Sequence, residues 1–134
     1  MAYPITDIRG IGPDTAAILK SEGIRTTIGL LRSAKTPKQR LKLAEMTRTN
    51  SERILGWVTA ADRMRVKGVG WEYSELLRAV GVKTVNELKF RTPEHLVDKM
   101  REANKRNLVR LLPKKQTVER WIESAKKLPT IIRY

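Results

Sequence analysis

The chain of 134 residues contains no cysteine. Disulfide staples and thiolate-ligated metal sites are excluded, and the redox compartment is left open. A single histidine, His95, stands behind Pro93-Glu94 in the first turn of an expected helix, where a solvent-facing polar role is the expectation. The chain also lacks a phosphate-loop lysine motif and any pair of carboxylates at a recognisable catalytic spacing. No enzyme, cofactor or metal is therefore expected; a desolvated lysine acting through a Schiff base is the one route that composition leaves. No apolar run approaches the roughly 18 residues of a membrane span. Met1-Ala2-Tyr3-Pro4 has neither the basic nor the apolar part of an export leader, so a cytoplasmic protein without a membrane partner is expected. Aromatic residues make up only 5%, so Leu, Ile, Val and Ala must supply most of the core.

Acidic residues are scarce beside basic ones, 14 against 28, for a net charge of +14. Residues 1–65 carry 12 bases and 6 acids, and residues 66–134 carry 16 and 8, so the surplus is spread over the chain. Such a surface seeks a polyanion, nucleic acid first and anionic membrane second.

The strongest pattern is an internal repeat. Arg9-Gly10-Ile11-Gly12 returns as Lys67-Gly68-Val69-Gly70, displaced by 58 positions (9 to 67). In the same register Ile18-Leu19 falls on Leu76-Leu77, Gly23-Ile24-Arg25-Thr26 on Gly81-Val82-Lys83-Thr84, and Leu30 on Leu88. With small slips, Thr36-Pro37 answers Thr92-Pro93, Met46 answers Met100 and Asn50 answers Asn104. Trp57 answers Trp121 only if the second copy carries an insertion, Lys105 to Lys114. Self-similarity of this kind marks a duplicated unit. The expected division is 1–65 and 66–134, the second unit bearing the basic insertion 105–114 and a C-terminal tail, both within one compact domain.

Nearly every boundary signal is helical. Pro13 follows Gly12 at a first helical position, and Gly23 and Gly81 suit left-handed helix stops, with Ile24 and Val82 folding back. Thr26 and Thr84 are expected N-caps, Thr84 with Glu87 as a capping box, and Thr49 with Glu52 as another. Thr36 and Thr92 each precede a helix-starting proline. Longer helices are expected to about Arg65 and from about Gln116 to Lys127, the last with Trp121, Ala125 and Leu128 on one side. Leu108, Val109, Leu111 and Leu112 could form a short helix before Pro113. No segment alternates with period two long enough for a strand, so the fold class is all-α, with about eight to ten short helices.

A short helix, an aliphatic-x-Gly-aliphatic-Gly turn and a helix ending at Gly-aliphatic together resemble the helix-hairpin-helix motif, here Ile8-Arg9-Gly10-Ile11-Gly12 and Val66-Lys67-Gly68-Val69-Gly70. The whole chain is similar to an uncharacterised bacterial family with duplicated hairpins, Trp-bearing helices and a Gly-x-Gly, Thr-Pro, Trp-Ile order like that from Gly68 to Ile122. The resemblance implies two tandem units of a SAM-like, helix-hairpin-helix helical fold. In the wider superfamily the hairpin grips nucleic-acid backbone without reading sequence; the narrow family carries over no activity.

The candidate binding residues are Gly10, Gly12, Gly68 and Gly70, with Arg9 and Lys67 inside the turns. Glycines let a sugar–phosphate chain approach, and the following helix aims its positive end at a phosphate. The second position of that helix is acidic both times, Asp14 and Glu72, and a carboxylate there caps its own helix and repels phosphate. Phosphate grips and mere packing joints thus both stay open. The insertion adds Lys105, Arg106, Arg110, Lys114 and Lys115, with no acid from Ala103 to Val118. A weaker cluster is Arg32, Lys35, Lys38, Arg40 and Lys42, and Thr47-Arg48-Thr49-Asn50 is a glycine-free analogue of the turn. Trp57 and Trp121 are expected in the core, and Trp71 and Tyr73 partly exposed. The expected function is non-sequence-specific backbone binding, with DNA the first partner and RNA a second. A protein-interaction adaptor for an acidic partner is the alternative; oligomeric state is not legible.

Overall fold

Proline, threonine and glycine punctuate the chain, and in the computed structural model, which describes residues 2–134, helices start or stop at most of these signals. The helices are α1 Pro13–Ser21, α2 Thr27–Ser33, α3 Pro37–Thr47, α4 Ser51–Arg63, α5 Trp71–Ala79, α6 Val85–Leu88, α7 Pro93–Ala103 and α8 Lys115–Lys127. Two 3-10 turns, Ile5–Asp7 and Asn104–Arg106, complete an all-α fold without a strand among the described residues. Both expected glycine stops are left-handed: Gly23 has φ 82° and Gly81 φ 89°. Behind them Ile24 N–H donates to Leu19 O and Val82 N–H to Leu77 O, each at 2.9 Å, and the buried Ile24 and Val82 side chains seal the helix ends.

Three of the caps differ in detail from expectation. Thr36 forms a complete capping box with Gln39, which the Thr-Pro signal alone did not disclose. Asn50, not Thr49, caps α4, its Oδ1 accepting from Arg53 N–H at 2.8 Å. Arg48 turns left-handed and sends Thr49 N–H back to Ala44 O, so the chain enters α4 one residue later. Thr84 makes no side-chain cap bond. The buried Asp62 reaches across from α4 and accepts from Val85 N–H at 2.9 Å, while Glu87 bonds Lys83 N–H. A buried carboxylate outcompetes a hydroxyl at that helix start.

The two halves share one order of four helices, with α6, four residues, shorter than its counterpart α2, seven. Helices α1 and α5 have nine residues each, α3 and α7 eleven, α4 and α8 thirteen. The pairings also repeat, α1 with α3, α2 with α4 and α3 with α4 being answered by α5 with α7, α6 with α8 and α7 with α8. The buried apolar residues form two clusters, one from Ile5 to Met64 joined by Ile132, the other from Val66 to Ala125. Each fully buried Leu or Ile within them contributes about 1.5–3 kcal/mol.

Helices α4 and α5 pack at the seam between the clusters. Arg63 is 2% exposed there, donating to Ser74 Oγ at 2.9 Å and Lys83 O at 3.0 Å, with Glu75 at 3.7 Å. Burial pushes its pKa down to about 10 against the pull of Glu75, so the guanidinium stays charged at neutral pH. Arg65 binds Asp62 Oδ1 through Nε and Nη2 at 2.9 and 2.6 Å and also donates to Pro129 O. The tail then returns to the first half, where Ile132 is buried and Arg133 N–H donates to Lys35 O at 2.7 Å. Trp71 likewise leans on the first cluster from the second half.

Candidate nucleic-acid interface

Each glycine turn is built on alternation between inside and outside. Ile8, Ile11, Val66 and Val69 are buried, while Arg9, Gly10, Lys67 and Gly68 are exposed. Ile11 N–H donates to Ile8 O at 2.9 Å and Val69 N–H to Val66 O at 3.0 Å, closing the two elbows with the same bond although only Gly68 is left-handed. The aliphatic anchors hold each elbow to its core, so the cation between them is thrust into solvent. Gly12 and Gly70 are the N-caps of α1 and α5 and offer no side-chain acceptor. Pro13 has no N–H, so the first-turn donors left without a hydrogen bond among the described residues are those of Asp14 and Thr15 in α1 and of Trp71, Glu72 and Tyr73 in α5, at the positive helix ends. Asp14 and Glu72 are exposed and make no hydrogen bond or ion pair among the described residues, so neither carboxylate caps its helix.

Glycine is sterically required at only one position of each elbow. A Cβ on Gly10 would lie 2.6 Å from Trp57 Nε1, and Gly68 has φ +90° with Trp121 Nε1 3.4 Å from its Cβ position. Gly12 and Gly70 have open space and extended φ of −82° and −89°. Gly10→Ala and Gly68→Ala should each lose about 1–3 kcal/mol of stability in urea melts, from overpacking and from left-handed strain respectively. Gly12→Ala and Gly70→Ala should stay within about 1 kcal/mol. Equal losses at all four positions would contradict this geometry.

The two tryptophans nearest the elbows are core residues, Trp57 being 7% and Trp121 2% exposed. Trp71 and Tyr73 are half-buried; Tyr73 packs on Trp121 with ring centroids 5.1 Å apart and donates its hydroxyl to Leu111 O at 2.8 Å. His95 is exposed. Arg40 does not belong to an open basic cluster: it is 4% exposed and donates to Ala34 O and Arg133 O, so it fastens the tail. Burial lowers its pKa. In the glycine-free turn the Thr47 hydroxyl is buried and donates to Leu43 O at 2.7 Å.

Beyond the 3-10 turn at Asn104–Arg106 the insertion forms no helix, so Leu108, Val109, Leu111 and Leu112 do not make the expected one before Pro113. Asn107 adopts a left-handed conformation and Asn104 Oδ1 accepts from Val109 N–H at 3.0 Å, which ends helical pairing and leaves a side-chain-pinned loop. Val109 and Pro113 are buried, but Leu111 is 74% exposed and anchors nothing. The cations of the insertion are also dispersed. Lys105 pairs with Glu102 at 3.0 Å, and Lys115 pairs with Glu94 at 2.9 Å. The Lys115 hydrogen bond holds the Glu94 carboxyl below its usual range and raises Lys115 in return. Lys105 and Arg106 line a depression of about 850 Å³ beside Arg78 and Lys99. Lys114 is exposed at the start of α8 and lines neither elbow cleft.

Two clefts do gather charge at the second elbow. In the first, of about 560 Å³, Arg9 from the first elbow and Arg110 from the insertion meet Gly68 and Gly70, but Asp7 and Glu72 balance them. The second, of about 600 Å³, is lined by Lys67 and Gly68 together with Thr117, Arg120, Trp121, Glu123, Ser124 and Lys127 of α8. Its one acid, Glu123, is engaged by Lys126 at 2.9 Å. The α8 residues escaped sequence reasoning, although Thr117, Arg120, Ser124 and Lys127 sit at the three- and four-residue spacing of one helix stripe. That stripe borders the Trp121, Ala125 and Leu128 side of the helix.

Among the described residues no helix is long and apolar enough to cross a membrane. The profile of a family described as a domain of unknown function (DUF4332) matches residues 9–128. No curated protein and no solved structure matches the chain.

Proposed function

The chain belongs to that family, and we propose that it binds nucleic acid, DNA first, by holding the sugar–phosphate backbone without reading bases. The observation that carries this reading is the pair of repeat-related elbows. Each leaves an uncapped helix start beside an exposed cation, Arg9 or Lys67, that has no carboxylate partner among the described residues. The helix-hairpin-helix motif is the functional reading of these elbows. Backbone N–H groups and cations contact phosphate oxygens whatever the base, so they fix position and not sequence. The net charge of +14 supplies long-range attraction to any such chain. No residue is assigned a catalytic role.

Binding through about six phosphates should weaken on the order of a thousandfold between ~50 and ~200 mM salt. A mobility-shift titration against duplex, single-stranded and RNA ligands at two ionic strengths measures it. Full binding retained at high salt, or none at low salt, would remove the proposal. Preference for RNA would change the partner and keep the backbone mechanism.

A further inference from the structure

We infer that the cleft between the second elbow and α8 is the protein's principal phosphate seat, and that the first elbow lacks a counterpart. The inference rests on the nucleic-acid reading above and locates it on one face.

The argument begins with the duplication. Helices α4 and α8 have equal length and carry Trp57 and Trp121, each with its indole edge against the first glycine of its elbow. Aligned on the tryptophans (57 to 121), Thr117, Arg120, Ser124 and Lys127 correspond to Arg53, Gly56, Ala60 and Arg63. In the first copy the C-terminal half of this face is closed, while Arg53 and Gly56 remain exposed. Ala60 and Arg63 are each 2% exposed at the seam with α5, and the Arg63 guanidinium is spent on Ser74 and Lys83. Arg53 stacks over the Trp57 ring at 5.8 Å.

In the second copy the equivalent face is open. The chain after α8 turns away to the first half, leaving Arg120 and Lys127 exposed and Thr117 and Ser124 half-buried along the cleft. None of these four side chains, nor that of Lys67, has a hydrogen bond or ion-pair partner among the described residues. Trp121 presents an indole N–H at the cleft wall, also without an acceptor. The cleft therefore concentrates donors, and its single carboxylate is already paired. Three cations, two hydroxyls and an indole N–H match anionic oxygens and offer little to a cation or an apolar ligand. Thr117 to Lys127 covers about 15 Å of helix axis, so the seat suits consecutive phosphodiesters rather than a lone phosphate ion.

The test compares the full-length protein with a triple variant, Lys67→Ala, Arg120→Ala and Lys127→Ala. A charge-matched control carries Lys20→Ala, Arg25→Ala and Lys83→Ala, three exposed cations outside both elbow clefts. Affinities for a labelled duplex and a labelled single strand are measured over a salt series, with thermal melts confirming that each variant folds. If three phosphate contacts are lost, the slope of log affinity against log salt should shrink by about 2.7 on duplex or about 2.1 on single strand. The control should keep the parent slope. In a nitrogen–proton correlation spectrum the Trp121 indole signal should move on oligonucleotide addition. An unchanged slope in the cleft variant, an equal loss in the control, or a motionless Trp121 signal overturns the inference while nucleic-acid binding stands. Failure of the parent protein to bind either ligand at low salt overturns both.

Discussion

Replacing Arg9 and Lys67 together by glutamate should abolish DNA retention at ~50 mM salt, a loss on the order of a thousandfold or more. Both side chains are exposed at the tips of elbows whose buried anchors, Ile8, Ile11, Val66 and Val69, the substitution leaves untouched. The fold should therefore survive, and circular dichroism would show an unchanged helical spectrum. Each reversal removes one attraction and installs one repulsion. At about 1 kcal/mol or somewhat more for each of four unit changes, the total exceeds 4 kcal/mol, and every 1.4 kcal/mol is tenfold. Arg9 matters beyond its own turn, because it faces Gly68 and Gly70 across the cleft that Arg110 also enters. In that cleft Asp7 and Glu72 already offset the two positive charges, so a glutamate at position 9 would turn a balanced cleft negative. Filter binding measures the outcome. Retention within threefold of the parent would mean that the elbows are packing joints only and that another part of the basic surface holds the DNA.

How much of this was legible in the residues depends on distance along the chain. The glycine stops at Gly23 and Gly81 follow from local backbone chemistry, and the structure places both in the left-handed region. The all-α class follows from the density of such helix signals. Capping at Thr84 was not legible, because the competitor, Asp62, lies 22 residues earlier and becomes its neighbour only after folding. Arg40 looked like one member of a basic run, and only the returning tail makes it a buried donor to Arg133 O. The α8 stripe was present as a spacing, yet its worth depends on Lys67 and Gly68 standing opposite, a juxtaposition that no local pattern encodes. The insertion shows the converse: a run rich in Lys and Arg is not a patch when Glu102 and Glu94 lie just outside it and pair with Lys105 and Lys115.

The largest effect on stability is expected at Asp62, one of the few carboxylates in a basic chain. It is 2% exposed, with Oδ1 taking two bonds from Arg65 and Oδ2 one from Val85 N–H. It thereby ties α4 in the first half to the start of α6 in the second, while Arg65 ties both to Pro129 at the root of the tail. Asp62→Ala strips this carboxylate from a guanidinium that is 7% exposed and leaves a buried helix-start N–H without its acceptor. Breaking one side of a buried pair costs about 3–5 kcal/mol. For a chain of this size that is roughly 10–20 °C in Tm, readable by calorimetry. Asp62→Asn keeps one acceptor, enough for Val85 N–H, but turns an NH2 donor toward the Arg65 guanidinium, so it should restore only part of the loss. Adding Arg65→Met to Asp62→Ala removes the stranded charge and should recover part of the stability, a non-additive result that separates ion pairing from general packing damage. Losses under about 1 kcal/mol for Asp62→Ala, or strict additivity in the double variant, would show that the two halves are joined by the α4–α5 seam, with its Arg63 bonds, and by the returning tail without help from the Asp62–Arg65 pair.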